Sequence, residues 1–212
     1  MNSIKFLILF LLIDIFLSKN LCTENYCFNH FLCSLFVCLF TIKDVVVSYT
    51  DFDNCEKYES HSIVVSLIYG LYIYHCLYYY KKLKMNDIFH YISTLCICVP
   101  LSLLYNIGSL LGYYFFFTFG LPEMINYFLL WKERNGLYKR QKQKEWNRLL
   151  NVWVRNPGCI SCATLIFLKV FTNNDQTLLC RLARISITLM TVWNGSYFMD
   201  QVVSDYAKQY PF

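Results

Sequence analysis

The side chains best suited to proton chemistry in this sequence of 212 residues are its four histidines, His30, His61, His75 and His90. Imidazole titrates near neutral pH and can serve as acid, base or ligand. His61 and His75 would share a helix face but stand ~21 Å apart along the axis, too far to act together. His75 and His90 are placed differently. His75 stands six residues before Lys81, and His90 stands six residues after Lys84. If the apolar runs flanking 81–87 pack as antiparallel helices, both rings lie at one depth, roughly 9 Å inside the boundary. Asp87, three residues before His90, shares its helix face and can hold the ring in one tautomer. The candidate catalytic set is therefore His90 as base, Asp87 as its orienting carboxylate and His75 as its neighbour. The structural alternative is that both histidines hydrogen-bond helices to one another.

Two further features could carry chemistry. Cys159-Ile160-Ser161-Cys162 has the C-x-x-C spacing, but a lone pair cannot complete a zinc site, and packing or lipidation fits an apolar run better than redox work. No metal site is expected. The stretch 132–158 carries eight of the 19 basic residues against two glutamates. Within it, Trp146, Leu149, Leu150 and Trp153 recur at helical spacing between Lys139, Arg140, Lys142, Lys144 and Arg148. That pattern reads as an amphipathic helix lying on an anionic membrane surface. Its sharper alternative is an anion site in which Lys139, Arg140, Lys142 and Arg148 hold the phosphates of acyl-CoA. Basic loops are the usual flank of membrane helices, so no nucleic-acid partner is expected. There is no Gly-rich phosphate loop, no nucleophile elbow and no paired-carboxylate metal site; no resident cofactor is expected.

The elements that position these residues are apolar runs. The chain is 57% hydrophobic and only 16% charged, where soluble domains carry about 25% charged residues. Runs at 6–17, 28–42, 61–80, 88–105, 107–131, 159–171 and 178–193 alternate with charged connectors, and a bilayer crossing needs about 20 apolar residues. The first run resembles the core of a signal peptide but lacks a small-x-small cleavage site; a signal anchor or a short span is the alternative. Gly120-Leu121-Pro122 is expected to kink or break the fifth run. The expected fold class is an all-α, polytopic membrane bundle of six or seven transmembrane helices. It comprises an N-terminal segment, 1–59, and the bundle proper, 60–212.

Lysine and arginine set the orientation. Connector 43–60 holds two lysines against five carboxylates, 81–87 holds three lysines against one aspartate, and 132–158 is the most basic. The last two face the cytosol on this reading and 43–60 faces the lumen or exterior. Asn194-Gly195-Ser196 is a glycosylation sequon at the cytosolic end of run seven and is expected to stay unused.

Residues 60–171 resemble the TLC domain family. The resemblance is carried by Glu59-Ser60-His61-Ser62, by Lys84-Met85-Asn86-Asp87-Ile88-Phe89-His90-Tyr91, by Gly120-Leu121-Pro122-Glu123 and by Trp153-Val154-Arg155-Asn156-Pro157-Gly158. It implies lipid biology at an internal membrane, the endoplasmic reticulum. Family members that are ceramide synthases transfer an acyl group from acyl-CoA and use a His-His pair where this chain has His90-Tyr91. Two functions follow as expectations. The first is a multi-pass protein of lipid handling, acting on membrane composition, sensing or trafficking. The second is an acyl-CoA-dependent lipid acyltransferase with His90 as general base. A channel is disfavoured, because no run carries a stripe of polar residues. Membrane lipids are the expected partners, with acyl-CoA and a homodimer left open.

Overall fold

The computed structural model describes residues 2–20, 25–58, 62–78, 88, 91–172 and 176–210. Every regular element among them is helical. They are α1 (Asn2–Asn20), α2 (Asn25–Thr50), a 3₁₀ turn (Phe52–Lys57), α3 (Ser62–Tyr78), α4 (Val99–Leu104), α5 (Ser109–Phe115), α6 (Leu121–Arg134), α7 (Arg140–Leu150), α8 (Asn156–Thr172) and α9 (Leu178–Gln209). Three π-helical turns, Ile92–Cys98, Phe116–Gly120 and Asn151–Arg155, lead into α4, α6 and α8.

These pieces join into seven rods among the described residues. Cross-rod contacts give their directions. Phe10 lies against Tyr74, and a β-carbon at Gly70 would meet Phe6, so α1 and α3 run parallel. Down α2, the partners on α5–α6 descend as α2 ascends. Phe28 meets Trp131 and Phe31 meets Phe128 at centroid distances of 5.7 and 5.2 Å. Cys38 backs Gly120 and Asp44 backs Gly112, and Ser48 is bonded to Ser109 at 3.2 Å. The long α9 is likewise antiparallel to the α7–α8 rod, with Lys144 paired to Asp205, Arg148 over Tyr206 and Asn156 beside Ser196. Rods successive in the chain thus alternate in direction, and α1 packs parallel to α3.

Glycine makes the closest approaches possible. A β-carbon at Gly112 would overlap the Asp44 carboxylate, and one at Gly158 would overlap the Phe117 ring. Small residues at such crossings are the usual way for membrane helices to pack. Gly108 has φ of +58° and lies under the Cys55 carbonyl, so the turn into α5 needs both its conformation and its missing side chain. Buried hydroxyls are satisfied within their own helices: Thr41, Ser102, Thr118 and Thr191 each donate to the carbonyl four residues earlier, at 2.7–2.8 Å. This arrangement suits a medium without water.

The three π turns share one cause. Each is followed by a residue that donates to the carbonyl five before it and then by proline: Val99-Pro100, Leu121-Pro122 and Asn156-Pro157. Proline lacks an amide hydrogen and its ring collides with the carbonyl four residues back. A wider turn relieves that collision without ending the rod. The break expected at Gly120-Leu121-Pro122 thus takes the form of a π turn, with Gly120 at φ −88°, ψ −107°.

Several boundaries differ from the sequence reading. Run two does not end at Ile42. Its helix continues to Thr50 with Lys43 and Asp44 inside it, because Val45, Val46 and Val47 extend the apolar surface and Asp44 is buried against Gly112. The basic stretch 132–158 is not a connector carrying a separate surface helix. α7 passes through a π turn directly into α8, so 140–172 is one rod of 33 residues, and its inner face packs on α6 and α9. Run seven does not end at Trp193. Its helix runs to Gln209, which puts Asn194 in mid-helix and buried.

Two described helices, 26–50 and 140–172, are long and apolar enough to cross a membrane. Large apolar side chains also cover the outside of the rods: Leu104 and Leu178 are each 73% exposed, Phe171 65% and Leu189 64%. The two ends of the assembly differ. At one, Arg184 of α9 pairs with Glu56, and Lys169 of α8 donates to the Asp53 carbonyl at 3.1 Å and covers the Phe52 ring at 4.2 Å. The acidic loop 51–58 is thereby fastened by two buried cations. The other end carries the basic start of α7.

Candidate functional site

The first turns of α2 and the last turns of α3 lie at the same end, because the rods alternate. That brings His30 of α2 against His75 of α3, ring centroids 4.1 Å apart and planes 31° apart. Both are buried. Tyr127 of α6 stacks on His30 at 4.0 Å with planes 14° apart. Tyr26, one helical turn before His30, lies 4.6 Å from its ring and 4.7 Å from that of His75. His75 Nδ1 is 3.3 Å from the Tyr91 hydroxyl, and the Tyr91 ring meets Tyr72 edge-on at 4.4 Å.

Next to this aromatic stack is an ion pair between buried Arg155 and half-buried Glu123. Arg155 Nη1 donates to Glu123 Oε1 at 2.6 Å. The guanidinium also lies 4.3 Å above the Phe198 ring. Arg155 occupies the π turn before α8, and Glu123 follows Pro122 in the first turn of α6. Two segments read separately in the sequence, Gly120-Leu121-Pro122-Glu123 and 153–158, are thus one structural unit.

Between the stack and the ion pair lies a cavity of about 100 Å³, walled by His30, Tyr72, Tyr91, Tyr127, Glu123 and Arg155 among others. Residues of all three π turns or their caps reach it: Tyr91, Thr118 with Phe119, and Arg155. Such turns widen a helix and turn backbone and side chains inward, and they occur disproportionately at functional sites. His30 Nε2 and Arg155 Nε are buried with no hydrogen-bond partner among the described residues. In a folded interior, polar atoms of this kind call for a partner. The cavity can therefore accept and donate hydrogen bonds to a small polar group, and the imidazole, phenol and carboxylate groups around it can relay a proton.

Of the residues singled out in the sequence, His75 is in this site. His90 and Asp87 lie outside the described residues, as do His61 and 81–87. His75 meets His30 instead, and Tyr91 is its hydrogen-bonding neighbour. The four cations considered for acyl-CoA do not line the cavity. Arg148 and Lys139 stand about 10 and 24 Å farther along the α7–α8 rod than Arg155. Lys142 is paired with Glu145 at 2.8 Å, and Arg140 lines a separate hollow of about 210 Å³ between α6 and α7. Cys159 and Cys162 are buried free thiols; Cys159 lies against Gly195 of α9 and Cys162 donates to the Leu110 carbonyl of α5 at 3.6 Å.

The sequence reading missed His30, Tyr26, Tyr127 and Arg155 as site residues. Direction was the available signal for the first: the start of run two and the end of run three must lie at one end if successive runs alternate. No family model, no curated protein and no solved structure matches the chain.

Proposed function

We propose that this chain is a multi-pass membrane protein of lipid handling, built on a TLC-like plan in an internal membrane such as the endoplasmic reticulum, whose cavity receives the polar end of a membrane lipid. The observation that carries the reading is the distribution of polarity. Apolar side chains cover the outside of the rods, while His30 (backed by His75), a cluster of tyrosines and an ion pair line a cavity inside. Polar groups are costly at membrane depth unless they face a cavity or each other, and there they mark function. The test is purification from alkaline-washed membranes into detergent, followed by mass spectrometry of the lipids carried along. One lipid class should be enriched over the bulk membrane and lost in Ser34→Phe, which fills the cavity from α2, with the melting temperature as a folding control. Release of the protein by the alkaline wash, or bulk lipid composition in both samples, would refute the reading.

A second reading, acyl transfer, is favoured by one observation: Tyr91 forms part of the cavity wall and directly follows His90 in the chain. In that reaction His90 takes the proton of a lipid hydroxyl or amine, whose oxygen or nitrogen bonds to the acyl carbon, and the thiolate of coenzyme A leaves. Asp87 orients His90. His90→Ala should then abolish an acylated lipid product without changing the melting temperature. Unchanged lipid profiles would exclude this role.

A further inference from the structure

A second hollow lies on the outside of the bundle. It is a groove of about 390 Å³ between the α4 rod and α9, walled by Ile92, Ser93, Ile97, Leu189, Met190 and Trp193. Its lining is almost wholly apolar, and Ile92 and Leu189 open it to the surroundings. The groove and the polar cavity are lined by different residues that neighbour one another in the chain. Tyr91 faces the cavity, and the next two residues, Ile92 and Ser93, line the groove. On α9, Phe198 faces the cavity, and Trp193, five residues or about 7.5 Å earlier, lines the groove. An amphiphile with its tail along α9 would therefore have its polar end at Tyr91 and Phe198.

The charge inside the cavity restricts what that end can be. Among the described residues, the ionised ones in the wall are Glu123 and Arg155, and they neutralise each other at 2.6 Å. The two imidazoles have their centroids 4.1 Å apart, so protonating both would place two cations against each other. A phosphate monoester brings a charge of about −1.5 to −2, and a protonated amine brings one positive charge. Neither finds a free counter-charge among the described residues of the wall. A hydroxyl finds the unpartnered His30 Nε2 and several phenols. Buried polar groups are accommodated when hydrogen-bonded, and buried charges only when paired.

We infer that the groove between the α4 rod and α9 holds one hydrocarbon tail of a lipid whose uncharged, hydroxyl-bearing end enters the cavity of His30, Glu123 and Arg155. This rests on the lipid-handling reading above and adds the class of lipid and its route of entry, sideways from the membrane.

Two photoactivatable probes with the same diazirine acyl chain, a monoacylglycerol and a lysophosphatidic acid, test it on the full chain in its membranes. The monoacylglycerol should label peptides containing 92–97 and 189–193, about tenfold more strongly than the phosphate probe, which would have to bury an unpaired charge. Met190→Trp and Ile97→Trp, which fill the groove from opposite walls, should each cut that labelling about tenfold while the melting temperature holds. Equal or stronger labelling by the phosphate probe overturns the inference about charge. Labelling confined to other helices, or unchanged in both variants, overturns the groove and leaves the lipid-handling reading standing. No labelling by either probe, together with no lipid enriched on purification, overturns both.

Discussion

Glu123 and Arg155 are 32 residues apart in the chain and meet at 2.6 Å, tying the first turn of α6 to the π turn that opens α8. Arg155 is buried, and its stacking on Phe198 draws α9 into the same junction. Removing one partner strands the other charge. Glu123→Leu should lower stability in detergent by about 3 kcal/mol, and the double change Glu123→Leu with Arg155→Met should restore most of it. A double-mutant cycle from denaturation curves gives the coupling; additive losses would show that the pair does not act as a unit.

The contact of Asp44 with Gly112 sets how closely α2 approaches α5. Gly112→Ala puts a methyl group where the Asp44 carboxylate lies and should cost about 1–3 kcal/mol. Adding Asp44→Ala to it should recover part of the loss, because the obstructing atoms are gone. Thermal melts of the single and double variants check this, and a Gly112→Ala protein as stable as wild type would refute it.

The ends of the bundle should face opposite sides of the membrane. A sequon introduced in loop 51–58 should be glycosylated in microsomes, whereas one introduced at 136–139 should not, given the basic residues there. The natural sequon at Asn194 should stay unmodified on either orientation, because Asn194 is buried in the middle of α9. A gel shift removed by glycosidase reports each case.

Acid should loosen loop 51–58. Asn54 Nδ2 and the Tyr58 hydroxyl both donate to the Asp51 carboxylate at 2.9 Å. These bonds, that of Asn54 foremost, hold Asp51 below its ordinary value and raise Tyr58 above its own. A carboxyl depressed in the folded state contributes stability that is full above its unfolded value, about 3.9, and lost as pH falls through its folded value. Cleavage at Lys57 by an acid-tolerant protease should therefore be slow and constant from pH 7 to about 5, and rise below about 4. In Asp51→Ala it should be fast throughout. A wild-type rate that falls on acidification would contradict the assignment.

The sequence by itself determined the class of molecule. Long apolar runs and clustered charge specify helices with an apolar outer surface, and three of the four prolines sit where helices must widen. It also marked His75, because an imidazole deep in an apolar run needs a reason. The partner was legible only through the direction of the runs. His30 and His75 are 45 residues apart, and pairing them depends on which end of α2 lies beside which end of α3. Arg155 likewise counted only as one positive charge among eight until folding buried it against Glu123. Run boundaries failed where charges sit inside helices, as at Lys43 and Asp44, since hydropathy along a chain does not register a carboxylate hidden against a glycine on another helix. Composition acts locally and is read from the chain. The cavity is made by contacts between rods, and those were decided by packing: small residues where helices touch, π turns where proline forbids the ordinary bond, and opposite charges brought together because burial leaves them no other partner.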